Sequence, residues 1–175
     1  MKQQTVIAIS GVKNSGKTTL ITRLLPKLQA EGLQVAVIKH DGHTFVPDPT
    51  DTDTGKYMEA GAYGTAIFDG ETYKVIKRST IDEHALIQHF PEADVILLEG
   101  LKHSTWPKIE IVRAGNSESP VCNPETLLAL VTDVPDIQST APMISIDDID
   151  GVAAIILQYV AQTTTYPFEN AHNGF

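Results

Sequence analysis

The sequence predicts an α/β fold: a mostly parallel sheet with helices on both faces and an added β-hairpin. Three observations lead there. Short apolar runs rich in β-branched residues recur along the chain, the mark of strands buried on both faces. The first run leads into a glycine turn, then a stretch with apolar residues at a spacing of four, then a second run. That order spells a strand–helix–strand unit with a right-handed crossover. Two further runs flank Asp69-Gly70-Glu71, a hairpin signal.

The elements follow in order. Residues 5–10 form the first strand, and a helix starts at Lys17 with Leu20, Ile21, Leu24, Leu25 and Leu28 on its apolar side. Gly32 closes that helix in a left-handed conformation. Pro26 lies inside it, removes one hydrogen bond and predicts a kink or an early end. Residues 34–39 form the second strand. Residues 43–54 are polar with Pro47 and Pro49, and read as a loop. A short helix follows, capped by Asp53 or Thr54 and stopped by Gly61. Strands are expected at 63–68 and 72–77, and a helix at 82–89 ends before Pro91. Further strands are expected at 93–98, 108–113, 127–131 and 142–146. Asp147 or Asp148 caps a last helix with Val152, Ala153, Ile156, Leu157 and Val160 inward. The pattern dissolves after Gln162, so the expectation is one domain over 1–162 and a flexible tail over 163–175.

Bulk properties narrow the function. The chain has 175 residues, 42% hydrophobic and 20% charged, which suits one globular domain. A formal net charge of −9 argues against a general nucleic-acid or membrane-surface binder. Cys122 is the single cysteine, so no intrachain disulfide framework exists, and it reads as a packed or solvent-side thiol rather than a catalytic one. No run reaches the roughly 20 apolar residues that span a bilayer, and the start lacks the pattern of a signal peptide. A cytoplasmic location is expected.

Gly11-Val-Lys-Asn-Ser-Gly-Lys-Thr18 matches G-x-x-x-x-G-K-[ST] at every fixed position, between a buried strand and an amphipathic helix. Gly11 and Gly16 let the backbone wrap a phosphate without a clashing Cβ. The amides of Lys13, Asn14, Ser15 and Gly16, with the helix start at Lys17, Thr18 and Thr19, offer donors to an anion. Lys17 reaches the β- and γ-phosphates, and the Thr18 hydroxyl joins a magnesium shell. These residues predict a P-loop nucleoside triphosphate site on a three-layer P-loop NTPase fold.

Such a site needs an acid at the end of a neighbouring strand. Glu99 follows four apolar residues and should emerge at the carboxyl edge of the sheet, with Gly100 allowing close approach to phosphate. Asp41, after Lys39 and His40, is a second candidate for magnesium or water positioning. His40 and His43 invite a metal-ligand reading but lack a firm third ligand. Thr132-Asp133 ends a strand, and its aspartate either accepts from guanine N1 and the exocyclic amine or starts a turn. No arginine finger stands out. Lys13 reads as a solvated loop lysine, with action across a dimer interface as the alternative.

These pieces together resemble the MobB family, the accessory proteins of molybdopterin guanine dinucleotide biosynthesis. The matching words are G-V-K-N-S-G-K-T-T at 11–19, V-I-K-H-D-G-H at 37–43 and A-G-A at 60–62. L-L-E-G-L-K at 97–102, K-I-E-I-V-R at 108–113 and V-T-D at 131–133 complete them, over residues 5–161. Gly55 and Lys56 stand where such proteins often carry an aromatic and an arginine. The resemblance implies a homodimer that binds GTP and Mg2+, hydrolyses GTP slowly, and holds molybdopterin or its guanine dinucleotide. It implies an adaptor or carrier role with a guanylyltransferase partner. Lys17, Thr18 and magnesium would neutralise the γ-phosphate, and Glu99 or Asp41 would position water. An ATP-dependent kinase or ligase, a nickel-insertion GTPase and a non-hydrolysing scaffold are the competing readings.

Overall fold

The computed structural model describes residues 3–42 and 48–165. The described residues divide into two compact units, one of 3–40 and 86–165, the other of 41–42 and 48–85.

The first unit holds a six-stranded sheet built from β1 (Thr5–Ser10), β2 (Val35–Lys39), β5 (Val95–Glu99), β6 (Lys108–Val112), β7 (Leu127–Thr132) and β8 (Met143–Ser145). The spatial order is β2-β5-β1-β6-β7-β8, and every neighbouring pair is parallel. Side chains alternate between the two faces of each strand. Ile7, Ile9, Val95, Leu97, Ile109, Ile111, Ala129 and Val131 pack against α1 (Lys17–Ala30) and α4 (Ile149–Thr165). Ala8, Ile96, Leu98 and Ile38 face the other way, toward Ala93 and Ile87, the last residue of α3 (Glu83–Ile87). Both faces are covered, which is why β1 and β5 run apolar without alternation.

Helix ends show where sequence signals held and where they yielded. α1 continues through Pro26 to Ala30 instead of ending early. Leu24 and Leu28 on either side of the proline are wholly buried, and this packing outweighs the lost backbone bond. At its end the Gly32 amide donates to the Gln29 carbonyl at 3.0 Å and Leu33 to Leu28 at 3.2 Å, a Schellman closure around the left-handed Gly32. Asp148 caps α4, its Oδ1 accepting from the Gly151 amide at 2.8 Å. α4 outruns the expected boundary at 162. Thr163 accepts a bond from Gln3 at 2.6 Å through its carbonyl and shares a 2.7 Å hydroxyl bond with Thr5, so polar residues dock this turn on the start of β1. The remainder of the expected tail, 166–175, lies outside the described residues.

The second unit carries α2 (Asp53–Glu59) and the antiparallel pair β3 (Gly64–Phe68) and β4 (Tyr73–Lys77). Thr52 caps α2, not Asp53 or Thr54: its hydroxyl accepts from the Gly55 amide at 3.1 Å. Asp69 closes the hairpin by accepting from the amides of Glu71 and Thr72 at 2.8 and 2.7 Å. Residues 43–47 of the expected polar loop lie outside the described residues.

One stretch of the first unit is buried yet ionic. Lys108 and Glu110, 0% and 1% exposed, stand two residues apart on β6. The Lys108 ammonium donates to the Ser104 carbonyl at 2.5 Å, and the Glu110 carboxylate accepts from the amides of Val121 and Cys122 at 2.7 and 3.1 Å. Burial, then the Glu110 charge, pushes the Cys122 thiol from 9.0 up to about 12. Cys122 is therefore expected to resist iodoacetamide at pH 8 in the folded protein and to react on unfolding, read by mass spectrometry. Between about pH 9 and 12 the unfolded chain releases this proton while the folded chain keeps it, so Cys122 lowers stability as pH rises through that window. Cys122→Ser should flatten that part of the pH profile; an unchanged slope would refute the assignment.

Candidate functional site

β1 ends at Ser10, in the middle of the sheet, and the chain turns through 11–16 before α1 starts. Gly11 and Gly16 take φ of 138° and 99°, and Asn14 takes 62°. A Cβ on Gly11 would stand 2.5 Å from the Ile111 carbonyl oxygen and 2.7 Å from Ser15 Oγ, so the loop can approach β6 only with glycine there. Gly16 is the N-cap of α1 and provides no side-chain acceptor, which leaves the first-turn amides for an anion. Ser15 is fully buried, and its hydroxyl has no partner among the described residues.

The Lys17 side chain curls over this loop, its ammonium donating to the carbonyls of Val12 at 2.7 Å and Gly11 at 3.2 Å. Burial holds its pKa below the ordinary lysine value, opposed by the negative charge of Glu99. The Thr18 hydroxyl lies 3.1 and 3.2 Å from the two oxygens of Glu99. Glu99 ends β5, is 8% exposed, and also meets the Lys39 ammonium at 3.2 Å. Gly100, at φ 109°, returns the chain to β1: its amide donates to Ile9, and its carbonyl accepts from Ser10 Oγ at 2.6 Å. The carboxyl edge of the sheet thus brings the glycine loop, Thr18, Glu99 and Gly100 together. A hydroxyl and a buried carboxylate converging in this way form a hard oxygen donor set that suits Mg2+.

Lys13 and Asn14 belong to the glycine loop and Thr19 to the first turn of α1, all three exposed. The remaining sequence candidates stand apart from the contact between Thr18 and Glu99. Asp133 Oδ1 accepts from the Ala114 amide at 2.6 Å, and Thr132 Oγ1 accepts from Val134 at 3.0 Å, so both brace the turns after β6 and β7. Asp41 opens the second unit. His40 is exposed, and its amide donates to the Glu99 carbonyl at 3.0 Å; His43 lies outside the described residues. No group of three potential metal-ligating His, Cys, Asp or Glu side chains exists among the described residues. Sequence reading put Lys39 at the same sheet edge as Glu99 without giving it a role, and missed Arg113 and Asn116. Those two were absorbed into a strand or a loop, and only tertiary pairing shows them near the glycine loop. Two cavities of about 390 and 650 Å³ open at the amino edge of the sheet, by Thr5 and Trp106 and by Leu33 and Phe90, on the side opposite the glycine loop.

This glycine loop, at the carboxyl edge of a parallel sheet with helices on both faces, defines a protein of the three-layer P-loop NTPase fold. Residues 6–133 match the family described as molybdopterin guanine dinucleotide synthesis protein B, and the chain belongs to that MobB family. It is similar to the molybdopterin-guanine dinucleotide biosynthesis adapter protein of Escherichia coli, 26% identical across 89% of this chain and 93% of that one. The adapter protein of Haemophilus influenzae is 31% identical across 74% of this chain and 75% of its own. The crystal structure of Bacillus subtilis MobB superposes with a TM-score of 0.70 at 28% identity, covering 89% of this chain and 97% of that one. No helix among the described residues is long and apolar enough to cross a membrane.

Proposed function

We propose that this chain is a GTP-binding adapter in molybdopterin guanine dinucleotide biosynthesis, working in the cytoplasm with a guanylyltransferase partner. The observation that carries the reading is the contact of Thr18 with Glu99 beside the Gly11–Gly16 turn. The loop amides and Lys17 bind the phosphates, exchanging the carbonyls that Lys17 now meets for phosphoryl oxygens. Thr18 and Glu99 would hold Mg2+, which supplies charge neutralisation at the β- and γ-phosphates. Glu99 orients water, and turnover is slow, about 10⁻³ to 10⁻² per second, as in P-loop GTPases that act without a partner's arginine finger. Asp133, whose Oδ1 accepts from the Ala114 amide, would read the guanine edge with its other carboxylate oxygen. The adapter role is the one that the relatives' names print, and that pathway supports molybdopterin or its guanine dinucleotide as the ligand carried.

Phe68, Tyr73 and Val75 share one face of the hairpin and are 80%, 73% and 61% exposed, which supports a homodimer that covers them. Calorimetry with GTP and ATP in magnesium buffer tests the nucleotide, and sedimentation of the same sample tests the dimer. Saturable, GTP-selective heat from a dimer is expected. Absence of heat with either nucleotide would overturn the reading.

A further inference from the structure

The turn after β6 leans on the glycine loop. Its own bonds run from the amides of Asn116 and Ser117 to the Arg113 carbonyl, both at 3.0 Å, with Gly115 at φ 75°. Two outside bonds pin it. Ala114 donates to Asp133 at 2.6 Å, and the Asn116 side-chain amide donates to the Lys13 carbonyl at 3.0 Å. The turn is therefore tied both to the end of β7 and to the glycine loop itself.

This brace sets the position of Arg113. Its Nη1 lies 3.8 Å from where a Cβ on Gly16 would stand, and Gly16 is the N-cap of α1. The Arg113 side chain is exposed and makes no ion pair among the described residues. Glu99, the carboxylate of the site, is engaged by Thr18 and Lys39. A guanidinium beside a ring of backbone donors, with no carboxylate paired to it among the described residues, is matched by a second anion. Its planar fork suits phosphoryl oxygens better than a point-charge ammonium does.

We propose that Arg113 is a second phosphate-binding cation of this site, delivered from the same chain, and that it grips a nucleotide's di- or triphosphate on the Gly16 side of the loop. The proposal rests on the nucleotide reading above and adds a residue that the loop motif does not contain. The exposed position of Arg113 means that its removal should leave the fold intact.

The test is equilibrium binding of magnesium GTP, magnesium GDP and inorganic pyrophosphate to wild type, Arg113→Ala, Arg113→Lys and Lys17→Ala, with thermal midpoints for each. Arg113→Ala should bind all three ligands roughly 10- to 100-fold more weakly at an unchanged midpoint. Arg113→Lys should recover part of that loss, because it restores charge but not the fork. Wild-type affinity in Arg113→Ala, with Lys17→Ala inactive, would overturn this proposal alone. A lowered midpoint with equal loss in both Arg113 variants would place the residue in the scaffold and overturn it too. A wild type that binds none of the ligands would remove the nucleotide reading and this assignment together.

Discussion

Lys17→Ala is expected to bind magnesium GTP at least about 100-fold more weakly than wild type, with its thermal midpoint within a few degrees. The asymmetry comes from the partners of the ammonium. In the structure it donates to two carbonyls of its own loop, at 2.7 and 3.2 Å. Those are neutral acceptors in a half-exposed place, and water can replace the lysine there at small cost. In the bound state the same ammonium faces phosphoryl oxygens, and hydrogen bonds between charged partners are about twice as strong as neutral ones. Burial already lowers the pKa of Lys17, a sign that its charge is poorly solvated and gains from an incoming anion. Lys17→Met keeps most of the side-chain stem and should bind as weakly as the alanine variant. Isothermal titration at constant magnesium measures both. Affinity of either variant within threefold of wild type would show that the loop holds phosphate without its lysine, or does not hold it.

The glycine loop was legible in the sequence because it is local. Gly11, Gly16, Lys17 and Thr18 are fixed by eight consecutive residues, and the flanking strand and helix by their own periodicity. Glu99 was also legible, because a lone acid after a fully apolar strand has one place to go in a parallel sheet. The brace around the loop was not legible. Asn116 meets Lys13 across 103 residues, and Ala114 meets Asp133 across 19, so neither contact leaves a local trace. Lys39 was read as the end of a strand at the same edge as Glu99, and the register of β2 against β5 sets the two side by side. Pro26 misled in the other direction. It is a strong local breaker, but the buried leucines around it belong to a helix packed on the sheet. Thr163 misled for the same reason. Its polarity suggested a tail, and its hydrogen bonds to Gln3 and Thr5 make it part of the scaffold.

Glu110→Ala is expected to cost about 3–5 kcal/mol of stability, the largest single effect among these residues. Such a loss lowers the thermal midpoint by roughly 10 °C in a chain of this size. K-I-E-I-V alternates charged with apolar residues, and on a half-exposed strand that pattern leaves the charged ones in water. The structure buries both Lys108 and Glu110, because the loops carrying Ser104 and Cys122 fold over that face of β6. Glu110 accepts two backbone amides that have no water to turn to, and it offsets the charge of a lysine whose pKa burial lowers. Truncation strands all three groups at once. Glu110→Gln keeps an acceptor oxygen but places a donor amide against Val121 or Cys122, so it should fall between wild type and alanine. Adding Lys108→Met to Glu110→Ala removes the stranded ammonium and should restore part of the loss, a coupling that independent sites would not show. Chemical denaturation of the four proteins measures this directly, and simple additivity of the two substitutions would refute electrostatic coupling between the residues.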